Sequence, residues 1–149
     1  EIKPSQGRIH YHGQELTSDE LYQAGAYILQ SSHVFDGLTL EENVALGQEI
    51  DSVRMEEILQ QTGLKALQGK ISNNQTLSGG EKQRLEIARA LYHNRHFILA
   101  DEVKANLDLK NQEKINQLLF SLPQAIVEVI HHYSDEDLKR HDKVIELVR

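Results

Sequence analysis

The stretch from Leu77 to Glu102, LSGGEKQRLEIARALYHNRHFILADE, constrains this chain more than any other. It opens with a Ser78-Gly79-Gly80-Glu81 turn, continues as a predicted helix from Glu81 to Leu91, and ends with the apolar run Phe97-Ile98-Leu99-Ala100, cut off by Asp101-Glu102. Ser78 and Glu81 are spaced S-x-x-E, a capping box that satisfies two backbone donors at a helix start. Gly79 and Gly80 lack side chains, so a ligand can approach their backbone closely. The N–H groups of such a helix start attract anions, phosphate above all. The apolar run has the composition of a buried strand, and carboxylates at its C-terminal end stand where α/β proteins bind ligands. Asp101 can hold Mg²⁺, a hard cation that takes oxygen ligands, and Glu102 can polarise a water. Taken singly, the turn reads equally as a capped surface helix, and Asp101-Glu102 as the polar exit of a strand.

Taken together, in this order and separation, the run resembles the signature motif and the Walker B strand of ABC-type ATPases. That resemblance implies an α/β fold: a P-loop NTPase of ABC type with a parallel sheet, its N-terminal strands and Walker A region missing, and an α-helical subdomain. The α/β core is expected over 1–39 and 92–149, and the helical, signature-bearing part over 40–91.

Composition narrows the alternatives. The chain has 149 residues, 39% of them hydrophobic and 26% charged, which suits one modest globular domain. A net charge of −7 argues against nucleic acid as a partner. The absence of cysteine excludes disulfides and thiolate metal sites. No run reaches the roughly 18 apolar residues of a membrane span, and no signal peptide is visible. A membrane connection must therefore come through a partner or another part of the polypeptide.

The remaining elements follow in chain order. Pro4 and Gly7 mark a turn. Arg8 to Tyr11 reads as a strand and His12-Gly13 as its turn; His10 and His12 share a face as solvent-facing histidines, since no third metal ligand accompanies them. A short helix is expected from Glu20 to Gly25, and an apolar strand from Ala26 to Leu29, followed by Gln30. Phe35-Asp36-Gly37 forms a turn. Thr39 and Glu42 make a second capping box, for a helix stopping at Gly47. Asp51 to Thr62 reads as an amphipathic helix with Val53, Met55, Ile58 and Leu59 inward and Gly63 as C-cap. Gln68 to Thr76 is a polar loop. In the signature helix Leu85, Ile87, Ala88 and Leu91 form the apolar set, which leaves Lys82, Arg84, Glu86 and Arg89 as a solvated face. Asp108 N-caps a helix from Leu109 to Leu122, ended by Pro123. Ala125 to Ile130, apolar apart from Glu128, reads as a buried strand ending in His131-His132. Ser134 and Asp137 cap a last short helix, and Lys143 to Val148 reads as a final strand.

The resemblance extends over these elements and assigns roles to their residues. The Pro4-to-Gly13 segment is similar to one that follows the Walker A helix in the family, so the likeness starts partway through the family's domain. Gln30 with FDGLTLEENVALG resembles the Q-loop, which implies contacts to Mg²⁺, the attacking water and a membrane domain. The wording around it is similar to exporters, although Ser72 stands where exporters often carry a glutamate. Val103 to Asp108 resembles the D-loop. His131, with Tyr133-Ser134 after it, resembles the switch histidine that contacts the γ-phosphate, and His132 is its variable neighbour. The resemblance thus implies Glu102 as general base, Asp101 and Gln30 at the metal, and Leu77, Ser78, Gly79, Gly80, Glu81 and Asp108 at the nucleotide of a head-to-tail dimer.

No G-x-x-x-x-G-K-[ST] pattern occurs in the sequence. Four charge-assisted hydrogen bonds from such a loop amount to roughly 6–12 kcal/mol, against about 8 kcal/mol for micromolar affinity. The expectation is a fragment of a longer polypeptide that binds MgATP weakly or not at all by itself. The whole is expected to be an exporter-type ABC transporter that couples ATP hydrolysis to transport at the cytoplasmic face of the cell membrane, alongside a second ATPase domain and a transmembrane domain. The competing readings are a soluble ABC-type ATPase of repair or translation, and a non-hydrolysing module that pairs with a complete ATPase. An open sheet edge also predicts pairing with another chain.

Overall fold

A computed structural model of the chain describes residues 7–29, 32–68, 77–131 and 133–147. The expected roles of Gln30, Ser72 and His132 fall outside the described residues.

Three parallel strands, β3 (Gly25–Ile28), β4 (Phe97–Asp101) and β5 (Ala125–Val129), lie side by side in chain order. Gly25 pairs with Phe97 and Ile28 with Ala100; Phe97 in turn pairs with Ala125 and Asp101 with Val129. Ahead of them a hairpin of β1 (His10–Tyr11) and β2 (Gln14–Glu15) leads into α1 (Ser18–Ala24). His12 is in the hairpin turn at φ +48°, so it does not continue the strand face of His10 as the spacing suggested. Between β3 and β4 run α2 (Leu40–Ala45), α3 (Ser52–Gln61), a 3₁₀ turn (Lys65–Leu67) and α4 (Gly79–Tyr92). The crossover from β4 to β5 is α5 (Leu109–Phe120), and α6 (Asp135–Lys139) follows β5.

The helix ends are set locally, three of them at the expected caps and the fourth at Thr17, ahead of the expected start at Glu20. Thr17–Glu20, Thr39–Glu42, Ser78–Glu81 and Ser134–Asp137 all close reciprocal capping boxes. Helix α3 ends at Gly63, φ +68°, where the Leu64 amide donates to the Leu59 carbonyl at 2.8 Å. A side chain there would meet the steric penalty of the left-handed region.

Two apolar clusters form the interior. One gathers Leu40, Val44, Met55, Leu59 and Leu85 from α2, α3 and α4, with Leu64 from the link after α3. The other packs Ile28, Ile98 and Ala100 of the sheet against Ile115 and Leu119 of α5. Helix α4 walls both: Leu85, Ala88 and Tyr92 face the first, Ile87 and Ala90 the second.

Four expectations are corrected. Arg89 is buried and not on a solvated face, and Lys82, Arg84 and Glu86 are only partly exposed, because α4 is wrapped by both clusters and by residues 33–43. Val53 is 72% exposed; only Met55, Ile58 and Leu59 of α3 turn inward. Strand β5 is buried on one face only, since Val127 and Val129 lie on the side of the sheet away from α5. Residues 143–147 form no strand: no described neighbour pairs with them. Among the described residues no helix is long and apolar enough to cross a membrane.

Candidate functional site

The parallel register brings the C-terminal ends of β4 and β5 together, which places Asp101-Glu102 beside His131. Asp101 is the exposed last residue of β4. The chain then breaks direction at Glu102, which has φ +47°. That is the left-handed region, which costs a residue with a Cβ about 1–2 kcal/mol. The Glu102 amide donates to the Val129 carbonyl at 3.1 Å, so the bend is fastened to β5. Its carboxylate Oε1 faces the His131 Nε2 at 3.2 Å. Both side chains line a cleft of about 240 Å³ with Lys104, Asn106, Glu128 and Asp137 around it.

The other candidate residues stand on α4 and on the loop before α5. The Ser78 hydroxyl and amide each donate to the Glu81 carboxylate at 2.7 Å, and the Glu81 amide returns a bond to the hydroxyl. Partial burial pushes the Glu81 carboxyl upward, but the two Ser78 bonds, with the charges of Arg84 and Lys114, outweigh it and leave the group below its ordinary range. The Asp108 carboxylate is engaged twice with Asn111, at 2.9 Å to its amide and 2.7 Å to its side chain, and these bonds hold it below the usual range. Asp108 therefore acts as the α5 N-cap.

The glycines have a reason the sequence did not reveal. A Cβ at Gly80 would stand 2.9 Å from Asn111 Oδ1, and one at Gly79 would stand 3.1 Å from Leu107 Cδ2. The close approach of α4 to Leu107 and Asn111 thus favours glycine at both positions, apart from any ligand. Leu77, buried just ahead of the turn, belongs to the first apolar cluster.

The donor set suits Mg²⁺ in one way. Among the described residues no group of three or more His, Cys, Asp or Glu could hold a metal ion. Mg²⁺ is commonly bound through one or two carboxylates together with substrate phosphates and water, and Asp101 fits that pattern. Neighbours that sequence reasoning passed over are Lys104 and His141, both bound to Glu128. The one signal for them was Glu128 itself, a single charge in an apolar strand.

With this geometry in view, likeness to known proteins is informative. A model of the ABC transporter family matches residues 1–105. The chain is 31% identical to a lipoprotein-releasing system ATP-binding protein of Chlorobium luteolum over 80% of this chain and 58% of the relative. It is 36% identical to a probable sulfate/thiosulfate import ATP-binding protein of Chlorella vulgaris over 89% of this chain and 61% of the relative. A bacterial Atm1-family ABC exporter, solved with ATP bound, superposes with a TM-score of 0.68 at 25% identity, covering 86% of this chain and 25% of that one. The chain spans about 60% of the length of the two curated relatives. A parallel sheet ending in an acidic pair, a capped S-G-G-E helix packed beside it, and a family match over most of its length make this chain a member of the ABC transporter family.

Proposed function

We propose that the chain is part of the ATP-hydrolysing domain of an ABC transporter of exporter type, working at the cytoplasmic face of a membrane beside a transmembrane domain and a second ATPase domain. One observation carries the reading: the Glu102 carboxylate and the His131 imidazole meet at 3.2 Å at the C-terminal ends of neighbouring parallel strands. Phosphoryl transfer is mostly positioning and electrostatics, and these groups are placed for its two tasks. Glu102 orients the attacking water and takes its proton; His131 donates a hydrogen bond to the γ-phosphate. Asp101, with Gln30, would hold Mg²⁺, which when bound neutralises charge on the phosphates. The first turn of α4, between Leu77 and Glu81, offers the Gly79 and Gly80 backbone donors to a γ-phosphate held by the partner domain, beside Ser78, whose own amide is engaged by Glu81. Asp108 caps α5 close to that turn and keeps the loop before it in place. Support for the exporter type is the Phe35, Thr39, Glu42, Asn43 pattern after Gln30 and the likeness to an exporter structure. A phosphate-cradling loop is not among the 149 residues, so the chain by itself is expected to bind MgATP more weakly than about 100 μM.

The test is Glu102→Gln in a protein that carries this chain together with a phosphate-binding loop. Nucleotide binding should persist, while turnover falls at least about a hundredfold. Near-normal ATP hydrolysis by this variant would overturn the general-base assignment.

A further inference from the structure

We propose that Lys104 is a positioning residue: its ion pair with Glu128, continued to His141, holds the turn that carries Glu102 in its working shape. The turn from 102 to 107 contains two residues with a Cβ in the left-handed region, Glu102 at φ +47° and Asn106 at φ +64°. Backbone of this kind persists only where its surroundings over-determine it. Its hydrogen bonds are few: Ala105 to the Glu102 carbonyl at 2.9 Å, Leu107 to the Lys104 carbonyl at 3.3 Å, Glu102 to β5, and the Gln112 side chain to the Leu107 carbonyl at 2.8 Å.

The side chain of Lys104 supplies a further restraint. Its Nζ lies 2.8 Å from Glu128 Oε1, with the two side chains 16% and 4% exposed. Glu128 stands on β5 in register with Ala100, on the face packed by α5. Its other oxygen, Oε2, lies 3.0 Å from His141 Nε2, and His141 Nδ1 lies 2.9 Å from the Asp137 carbonyl. The ring of Phe120 on α5 closes over His141 edge-on, with centroids 5.3 Å apart. One buried carboxylate thus ties the turn to the segment after α6, with the Lys104 ammonium on one oxygen and the His141 ring on the other. A carboxylate this enclosed is costly without such partners, so the three groups hold one another and the turn with them. Residues 135–141 thereby bear on the position of Glu102 without touching it. The inference rests on the proposed role of Glu102 only for its effect on turnover.

The experiment measures amide hydrogen exchange of Glu102, Ala105 and Leu107 in the whole chain, for the unaltered protein, Lys104→Met and Lys104→Arg. Exchange at these amides should quicken about tenfold in Lys104→Met while the amides of α3 keep their rates; Lys104→Arg, which keeps the charge, should return them to within about twofold. Glu128→Gln removes the charge at constant shape and should reproduce Lys104→Met, which covers a Lys104→Met chain that does not fold. Unchanged exchange in the turn, or equal quickening there and in α3, would overturn the proposal. Neither result depends on ATP, so failure here is distinct from failure of the Glu102→Gln test.

Discussion

Arg89 shows how much a single side chain holds together. Its Nε donates to the Asn43 carbonyl at 2.8 Å and its Nη2 to the Asn43 side-chain oxygen at 3.1 Å. Its Nη1 reaches the His33 carbonyl at 2.7 Å and the Glu86 carboxylate at 2.8 Å, and the guanidinium lies over the Phe35 ring, 5.6 Å from its centre. Burial pushes the guanidinium's affinity for its proton down, and the Glu86 carboxylate pushes it back up. The segment after residue 32 is thereby clamped onto the helix that begins at Ser78. Only a planar fork can serve these acceptors at once. Arg89→Met should destabilise the chain by about 3 kcal/mol, because Glu86 and two carbonyls lose their donor in the interior. Arg89→Lys should recover part of that, and urea unfolding measures both. A loss below about 0.5 kcal/mol would mean the clamp contributes nothing. Nothing in the helical spacing of α4 distinguished Arg89 from a surface arginine. The groups that bury it come from residues 33–43, and their arrival depends on the tertiary fold. The positions of Glu102 and His131 after apolar strands were legible, while their roles came only from the family resemblance; the shape of the turn at Glu102 was not legible, because the Glu128 carboxylate that meets Lys104 lies on another strand.

At the scale of the element, the helix starts share one device and therefore one pH dependence. Hydrogen bonds from the Thr17, Thr39 and Ser134 amides, then from their hydroxyls, hold Glu20, Glu42 and Asp137 below the ordinary carboxylate range, and Glu81 is lowered by Ser78 against the effect of its burial. A carboxylate with a lowered folded-state pKa adds stability that is fully present above its unfolded value and is lost as pH falls through the folded value. The urea midpoint should therefore hold steady above about pH 5 and drop below about pH 4. Glu42→Gln should flatten that drop; a midpoint that rises on acidification would contradict the argument. The Thr39, Ser78 and Ser134 caps were legible because S/T-x-x-E/D acts within one turn of chain; the Thr17 cap has the same pattern and was passed over. The same locality explains where sequence reading stopped. Ala125 to Ile130 is apolar enough for either face, and only the packing of α5 on one side shows that Val127 and Val129 stay exposed. A strand at 143–147 would need a pairing partner, which no local pattern can supply.

At the scale of the whole molecule, α4 determines whether the two apolar clusters behave as one. Leu85 and Tyr92 on one side of this helix belong to the first cluster, and Ile87 and Ala90 on the other side to the second. Tyr92 is further fixed by donating to the Glu49 carbonyl at 2.7 Å and accepting from the Asp51 amide at 2.9 Å, which ties α4 to the start of α3. A helix of 14 residues stripped of one face has too little packing left to persist in water. If the first cluster melts, α4 loses its partners there, and the sheet then loses the helix that covers Ile28 and Ile98. The clusters should therefore unfold together. Leu59→Ala, a fully buried deletion in the first cluster far from the sheet, should cost about 2–5 kcal/mol. It should reduce amide protection in β4 as much as in α3. Loss confined to α2 and α3, with β4 unaffected, would show instead that the sheet and α5 form an independent unit and that α4 can stay folded on one face alone.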